Sequence, residues 1–371
     1  MSRRILQFGT SRFLQAHVDL FVHEARVEGA DVGPITVVKT TADAGRDGRL
    51  TALASGYPVI IRGLEDGVAV EREVTATAVV AALSIVRDRD AVRAAMLEAD
   101  IIVSNTGETG YAIAAADRRP GLADAEALAQ SFPGKLLQLL AYRWRAGGRE
   151  IAVFPCELIN RNGRVLKRLL LDLAAETAAP ADFIAWLDRQ PFADSLVDRI
   201  VATPLEPAGA IAEPYALWAI ERQPGLPVPV EHAQVVMTDD LEPYERLKLH
   251  ILNLGHSVLA DHWRQAGLPA DETVKAILAR PLARALIDRV YAEEVLPGFA
   301  ANGLGSQAAA YVATTLDRFA NPFLEHRIAD IFGNHALKVE RRIVAFKAWS
   351  QAAGADHATP LLDAIVARAL D

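Results

Sequence analysis

Cys156 is the only cysteine in 371 residues. No disulfide can close within the chain, and no cysteine-based zinc site can form. No uninterrupted apolar run approaches the roughly 18 residues that a membrane-spanning helix needs. Positive charge is not in excess either. The 39 Lys and Arg stand against 47 Asp and Glu, a net charge of −8 with the signs interspersed. A nucleic-acid binder should present a basic face, so neither nucleic acid nor membrane is an expected partner. An anionic small molecule stays open, because a local cluster of cations outweighs a distant negative background. The opening MSRRILQFGT has two arginines but no apolar stretch behind them, and it reads as a strand rather than a secretion signal. A cytoplasmic enzyme is the expectation. Internal repeats and low-complexity tails are also lacking.

What is present is ordinary for a globular protein: 51% hydrophobic and 23% charged residues, in a length sufficient for two domains. Arg4–Phe8 is a short apolar run ending at Gly9. Phe13–Glu28 follows with helical spacing, and Ile35–Lys39 is β-branched and short. This is a βαβ unit. The alternation returns in Ala91–Ala99 (helix) with Asp100–Ser104 (strand), and in Ala127–Gly147 (helix) with Glu150–Phe154 (strand). Such alternation predicts an α/β domain with a parallel sheet covered on both faces. Tyr57–Thr77, rich in Val, Ile and Thr, reads as an inserted hairpin. After about residue 195 the chain becomes Ala- and Leu-rich with few strand signals. The expected division is a Rossmann-type dinucleotide-binding domain over 1–195 and a mainly α-helical substrate domain over 196–371.

The turn after the first strand reads Gly9-Thr10-Ser11-Arg12-Phe13-Leu14-Gln15-Ala16-His17. A dinucleotide fingerprint has glycine at the first, third and sixth places, the second glycine admitting the pyrophosphate. Here Ser11 and Leu14 hold the later places. An apolar strand, a glycine turn and a helix start survive, and they fit either nucleotide binding or a generic βα turn. At the end of the second strand an acidic residue would select NAD, whereas a nearby cation accommodates the extra phosphate of NADP. Lys39-Thr40 with Arg46 permits NADP, and Asp43 comes late for the NAD role. Ser104 to Gly110, with Asn105 and Thr106, follows a strand at the edge where ligands bind in parallel sheets. A solvated turn explains that segment equally well.

Tyr244–Ser257 carries no proline and is helical by pattern. At about 100° per residue with Lys248 as zero, Glu245 falls at about 60°, His256 at about 80° and Asn253 at about 140°. Four polar groups thus share an arc with Leu249 and Leu252. A solvated face seldom mixes Leu with Asn and His, and a buried face seldom holds Lys; a polar pocket in an apolar wall accommodates both. Oxidising an alcohol requires a base for the hydroxyl proton. Burial disfavours the charged form of lysine, so Lys248 could serve. Asn253 can donate to a developing oxyanion, His256 can bond a neighbouring hydroxyl, and Glu245 can relay the proton. Taken singly, a helical lysine is usually solvated, and Glu with Lys three residues apart is usually a surface pair. No metal is expected: His250 and His256 are six residues apart, and no cysteine cluster accompanies them. His17, His250, Trp263 and Cys156 read as packing residues.

The spacing Lys248-x4-Asn253-x2-His256 resembles that of the polyol-specific long-chain dehydrogenase/reductase family, which includes mannitol dehydrogenases and hexuronate (tagaturonate and fructuronate) reductases. Similar stretches span most of the chain: Ile5–His17, with Ser11 in place of the second glycine; Ser104–Gly110; Pro155-Cys156-Glu157-Leu158-Ile159 with Asn162-Gly163; SLVDRI from Ser195; Tyr244–Ser257; and Arg318-Phe319 with Asn321-Pro322, His326 and Lys338. The resemblance implies a Rossmann-type domain followed by a helical domain, with the substrate between them, and NAD favoured over NADP. It implies Lys248 as general acid/base, Asn253 as oxyanion partner and Glu245 in the proton path. It further implies His256, His326, Lys338 and Asp198 as substrate contacts, and Gly9, Thr10, Ser11, Arg12, Phe13, Lys39, Thr40, Asn105 and Thr106 along the cofactor. Leu158 stands where the mannitol branch has a second oxyanion asparagine, and Asp330 stands where that branch has a substrate-binding arginine. Both departures favour the hexuronate branch. The expected activity is interconversion of a keto-hexonate and its aldonate by a monomer or small homo-oligomer. The alternatives are a polyol 2-dehydrogenase of mannitol or arabinitol type, and a non-catalytic NAD(P)-binding regulator.

Overall fold

The structure is a computed structural model and describes residues 3–43, 47–107 and 109–370. The N-terminal part begins with β1 (Arg3–Phe8), α1 (Arg12–Gln15), α2 (Val18–Val27), β2 (Val32–Lys39) and α3 (Asp47–Ser55). A hairpin of β3 (Tyr57–Glu65) and β4 (Val68–Ala76) follows, then β5 (Val79–Ser84), α4 (Arg89–Glu98), β6 (Ile101–Ser104), α5 (Phe132–Arg145) and β7 (Ala152–Pro155). Next come α6 (Asn162–Glu176) and α7 (Ala181–Arg189). Strands β5-β2-β1-β6-β7 form one sheet in that order, with every neighbouring pair parallel. The order reverses between β1 and β6, which defines the topological switch point of a Rossmann-type domain.

The central strands owe their place to mostly apolar runs, broken only by the buried Gln7 and Ser104. Ile5 to Phe8 are buried, and so is every residue of β6 and β7, as a sheet covered on both faces requires. The core beneath joins Phe8 and Ile102 to Leu136 and Leu140 of α5, and to Leu170 of α6 and Phe183 of α7. Helix α5 starts where Ser131 Oγ accepts the Gly134 N–H, with Pro133 in the first turn. The helix read from Ala127 therefore begins five residues later, because a capping serine and a proline fix its start. The helix read across Phe13–Glu28 is two helices, interrupted at Ala16 and His17. His17 is fully buried, with Nε2 on the Leu217 carbonyl at 2.9 Å and its ring stacked on Phe13.

Residues 195–238 differ from the mainly helical stretch expected there. They hold β8 (Ser195–Asp198), β9 (Val201–Pro204), β10 (Ala210–Ala212), β11 (Leu217–Glu221) and β12 (Val235–Thr238). These strands form a sheet ordered β12-β11-β8 and, with the hairpin, another ordered β4-β3-β10-β9. Each has three to five residues, too few to show an alternating pattern between the prolines that separate them.

The chain divides into two compact units. The first comprises Met1–Ile60, Arg72–Ala212 and Ala216–Leu241; the second comprises Ile61–Glu71, Glu213–Tyr215 and Glu242–Asp371. The second unit is helical from α8 (Glu242–Leu247) through α9 (Leu254–Gln265) to a last helix, Pro360–Leu370. Its core gathers Ile251, Val258, Tyr291, Phe299, Phe319 and Phe346. Inside it, the Arg318 guanidinium grips Glu213 through two bonds of 2.9 and 2.8 Å and lies over the Tyr215 ring. This buried pair ties the short segment Glu213–Tyr215 to the helix Gly305–Ala320. Among the described residues no helix is long and apolar enough to cross a membrane.

Candidate active site

In the first unit the site is built on the carboxyl edge of the parallel sheet. Gly9 has φ +114°, and a Cβ there would lie 2.4 Å from the Asn105 carbonyl oxygen. The turns after β1 and β6 therefore approach so closely that only glycine fits, at the switch point where such sheets bind dinucleotides. Ser11 caps the first turn of α1, its Oγ accepting the Leu14 N–H at 3.1 Å. Arg12 points at the loop before β10, bonding Glu206 at 2.7 Å and the Gly209 carbonyl at 3.1 Å. Gln15 braces the same turn from both sides, donating to the Thr10 carbonyl and accepting from Gly209 N–H at 2.7 Å.

The β6 turn is held by a residue whose role the sequence left unassigned. Glu157 is 2% exposed and accepts from Ser104 Oγ, from the Thr106 N–H and hydroxyl, and from Tyr111 Oη, at 3.0–3.2 Å. Burial raises its pKa, and the bonds from Thr106 and Ser104 pull it back only in part. Asn105 donates its amide to the Cys156 carbonyl at 2.7 Å. Asn162 completes the brace, its Oδ1 taking the N–H groups of Gly163 and Ser195 and its amide facing the carbonyls of Pro155, Glu157 and Ser195. Cys156 is fully buried, and burial pushes its thiol pKa well up.

At the end of β2, Lys39 is 3% exposed and donates to the Asp43 carbonyl. Lys135, from α5, donates to the carbonyls of Thr40 and Gln130 at 2.9 and 2.8 Å. Arg46 and Glu108 lie outside the described residues. Asp198 ends β8 with 6% exposure.

In the second unit, α8 and α9 form one continuous helical run around a π-helical turn, Lys248–Asn253, in which the Leu254 N–H reaches back five residues to the Leu249 carbonyl. A hydrogen bond spanning five residues advances each residue by less than 100°, so the angles expected for a regular α-helix do not hold here. The wider turn carries Asn253 and His256 round toward the face of Lys248. Lys248 and Asn253 are half-buried, Glu245 is half-buried on α8, and His256 is 7% exposed. The His256 ring packs on Phe319, centroids 4.5 Å apart, and meets His326 edge to face at 5.2 Å. Lys338 donates to the Ile331 carbonyl at 2.7 Å. Burial lowers the pKa of His326, Asp330 partly restores it, and the Lys338 charge lowers it further. The structure thus packs His256 against His326, with the Lys338 charge near enough to act on the latter, although seventy residues separate the two histidines.

His250, by contrast, is fully buried. Its ring stacks on Trp349, centroids 5.8 Å apart, and burial lowers its pKa to about 4. Trp263 donates to the Pro269 carbonyl at 2.8 Å. No group of metal-ligating side chains occurs among the described residues.

A five-stranded parallel sheet with a glycine turn at its switch point, joined to a helical unit carrying lysine, asparagine and histidine on one run, defines a dinucleotide-dependent oxidoreductase. Comparison with known proteins gives the family. The model of the mannitol dehydrogenase Rossmann domain matches residues 3–227, and that of the mannitol dehydrogenase C-terminal domain matches 240–370. The chain belongs to the mannitol dehydrogenase family, as the sequence resemblance implied. It is 29% identical over 368 residues to an altronate oxidoreductase of Halalkalibacterium halodurans, covering 93% of this chain and 70% of that protein. A protein of the same name from Pectobacterium atrosepticum is 31% identical over 367 residues, covering 92% and 73%. In fold the chain is similar to a D-sorbitol dehydrogenase in substrate-free form, with a TM-score of 0.80 at 20% identity over 96% of this chain and 78% of that one. It is also similar to Pseudomonas fluorescens mannitol 2-dehydrogenase in a ternary complex with NAD and D-mannitol, with a TM-score of 0.72 at 20% identity over 100% and 79%.

Proposed function

We propose that the chain interconverts a keto-hexonate of the tagaturonate or fructuronate kind and its aldonate, using NAD(P), with Lys248 as general acid/base and no metal. The observation that carries the substrate class is the identity to altronate oxidoreductases over nine-tenths of the chain. The close approach at Gly9 suits a dinucleotide: the turns after β1 and β6, with Thr10, Ser11, Phe13 and Asn105, would hold it. When bound, the nicotinamide takes or supplies the hydride.

The chain's own residues handle the proton and the developing charge. In oxidation the neutral Lys248 amine removes the proton of the reacting hydroxyl, and in reduction the ammonium returns it. Asn253 donates its amide to that oxygen as it gains charge. His256, braced by Phe319 and His326, holds an adjacent hydroxyl, and Glu245 passes the proton onward. Lys338 supplies a positive charge suited to a sugar-acid carboxylate, and Leu158, 67% exposed, adds no second amide donor. A cytoplasmic setting accompanies this assignment.

A substrate panel tests it. Altronate and related aldonates should be oxidised with NAD or NADP after exhaustive chelation. Turnover of mannitol or arabinitol without turnover of any aldonate would make the chain a polyol 2-dehydrogenase. Cofactor binding with no turnover on the whole panel would leave a non-catalytic binder.

A further inference from the structure

We propose that Arg342 is a positioning residue for this reaction, holding in place the π-helical turn that gathers Lys248, Asn253 and His256. The proposal rests on the assignment of Lys248 as the base.

A π-helical turn is rare and persists only where its surroundings over-determine it. Three such segments occur among the described residues: Lys248–Asn253, Val290–Val295 and Glu340–Val344. The second and third each send a side chain to the main chain of the first. Tyr291 donates its hydroxyl to the Ile251 carbonyl at 3.0 Å. Arg342 donates through Nη1 to the Asn253 carbonyl and to Ser257 Oγ, both at 3.1 Å. Tyr291 can come so near only because residue 255 is glycine. A Cβ on Gly255 would lie 2.0 Å from the Tyr291 oxygen and 3.0 Å from the Phe319 ring, the ring that also supports His256.

Arg342 is fixed in return. Its own carbonyl faces His250 Nδ1 at 3.0 Å, and since a carbonyl can only accept, that nitrogen carries the proton. His250 Nε2 is then the acceptor for Arg246 Nη1 at 3.2 Å. Arg246 is held by Glu242 and lies over Trp349. A chain of contacts therefore runs from Glu242 through Arg246, His250 and Arg342 to Asn253, spanning both ends of the π turn. Arg342 is half-buried, and its two acceptors are the carbonyl of the proposed oxyanion partner and the residue next to His256. That is the placement of a strut for the reacting face.

The test compares the parent with Arg342→Ala, Arg342→Lys and, as control, Lys248→Ala, assayed with altronate and NAD and titrated with NADH. Arg342→Ala should lower kcat by about 10- to 100-fold, the scale of a small misplacement of reacting groups. KM and NADH affinity should stay within about twofold, and added guanidinium, but not sodium, should restore part of kcat. Arg342→Lys keeps the charge but not the fork and covers the case in which the alanine variant fails to fold; its kcat should fall by about 3- to 10-fold. Parental kcat in both Arg342 variants beside an inactive Lys248→Ala would overturn the positioning role alone. A kcat loss in Arg342→Ala that guanidinium leaves untouched would overturn it as well. Parental turnover in Lys248→Ala would overturn the assignment of the base, and this proposal with it.

Discussion

The rings of His256 and His326 meet edge to face with centroids 5.2 Å apart, joining the α9 run to the loop before Ile328–Phe332. Burial and the nearby Lys338 charge lower the pKa of His326, with Asp330 opposing, so the imidazole is neutral at neutral pH and can bond a sugar hydroxyl. His326→Phe keeps the ring packing and removes the ring nitrogens. It should raise KM for altronate by about 3- to 10-fold, the value of one hydrogen bond, with a smaller change in kcat. Steady-state kinetics check this, and an unchanged KM removes His326 from the substrate contacts.

Gly9→Ala tests the turn at the sheet's switch point. The added methyl would sit 2.4 Å from the Asn105 carbonyl, at a φ of +114°. Weakening of NADH binding by about tenfold or more is expected, with a loss of stability of about 1–3 kcal/mol. Fluorescence titration and denaturant unfolding measure the two effects. Parental affinity would show that the cofactor does not depend on this approach.

Asp19 gives a pH-dependent stability. It is fully buried on α2, takes the Tyr57 hydroxyl at 2.6 Å, and burial raises its pKa from 3.8 to about 7 against the opposing effect of that bond. The folded carboxyl keeps its proton up to about pH 7, whereas the unfolded one releases it near 4. Between these values the folded state binds more protons, so this group's stabilisation is full below the lower value and is lost as pH rises through the upper one. Asp19→Asn cannot ionise, and its unfolding free energy should lack that decline, a difference on the order of 1–3 kcal/mol between mildly acidic and mildly alkaline buffer. Parallel pH slopes in parent and variant would contradict the buried-carboxyl account.

Much of the first unit could be read from its sequence because the central strands are buried on both faces and so appear as short apolar runs, Ile5 to Phe8 and Ile101 to Val103, each closed by a small-residue turn. The strands of 195–238 could not, since three to five residues between prolines carry no period. In the second unit the spacing of Lys248, Asn253 and His256 was visible, but the π turn was not. Periodicity assumes a regular advance per residue, and here that advance is altered by partners about forty and ninety residues away, Tyr291 and Arg342. One local signal was available: Gly255 in mid-helix, a residue that weakens a helix unless something must come close. Glu157 and Asn162 stood within recognisable stretches, yet their roles depend on Ser104, Thr106 and Ser195, which only folding brings beside them.

The most direct test of the central claim is turnover of Lys248→Ala at neutral pH, with and without added methylamine, on an enzyme shown to bind NADH normally. Loss of the base should slow altronate oxidation by about 10²- to 10⁴-fold, and the free amine should restore part of the rate. Turnover equal to the parent's, with or without the amine, would contradict it.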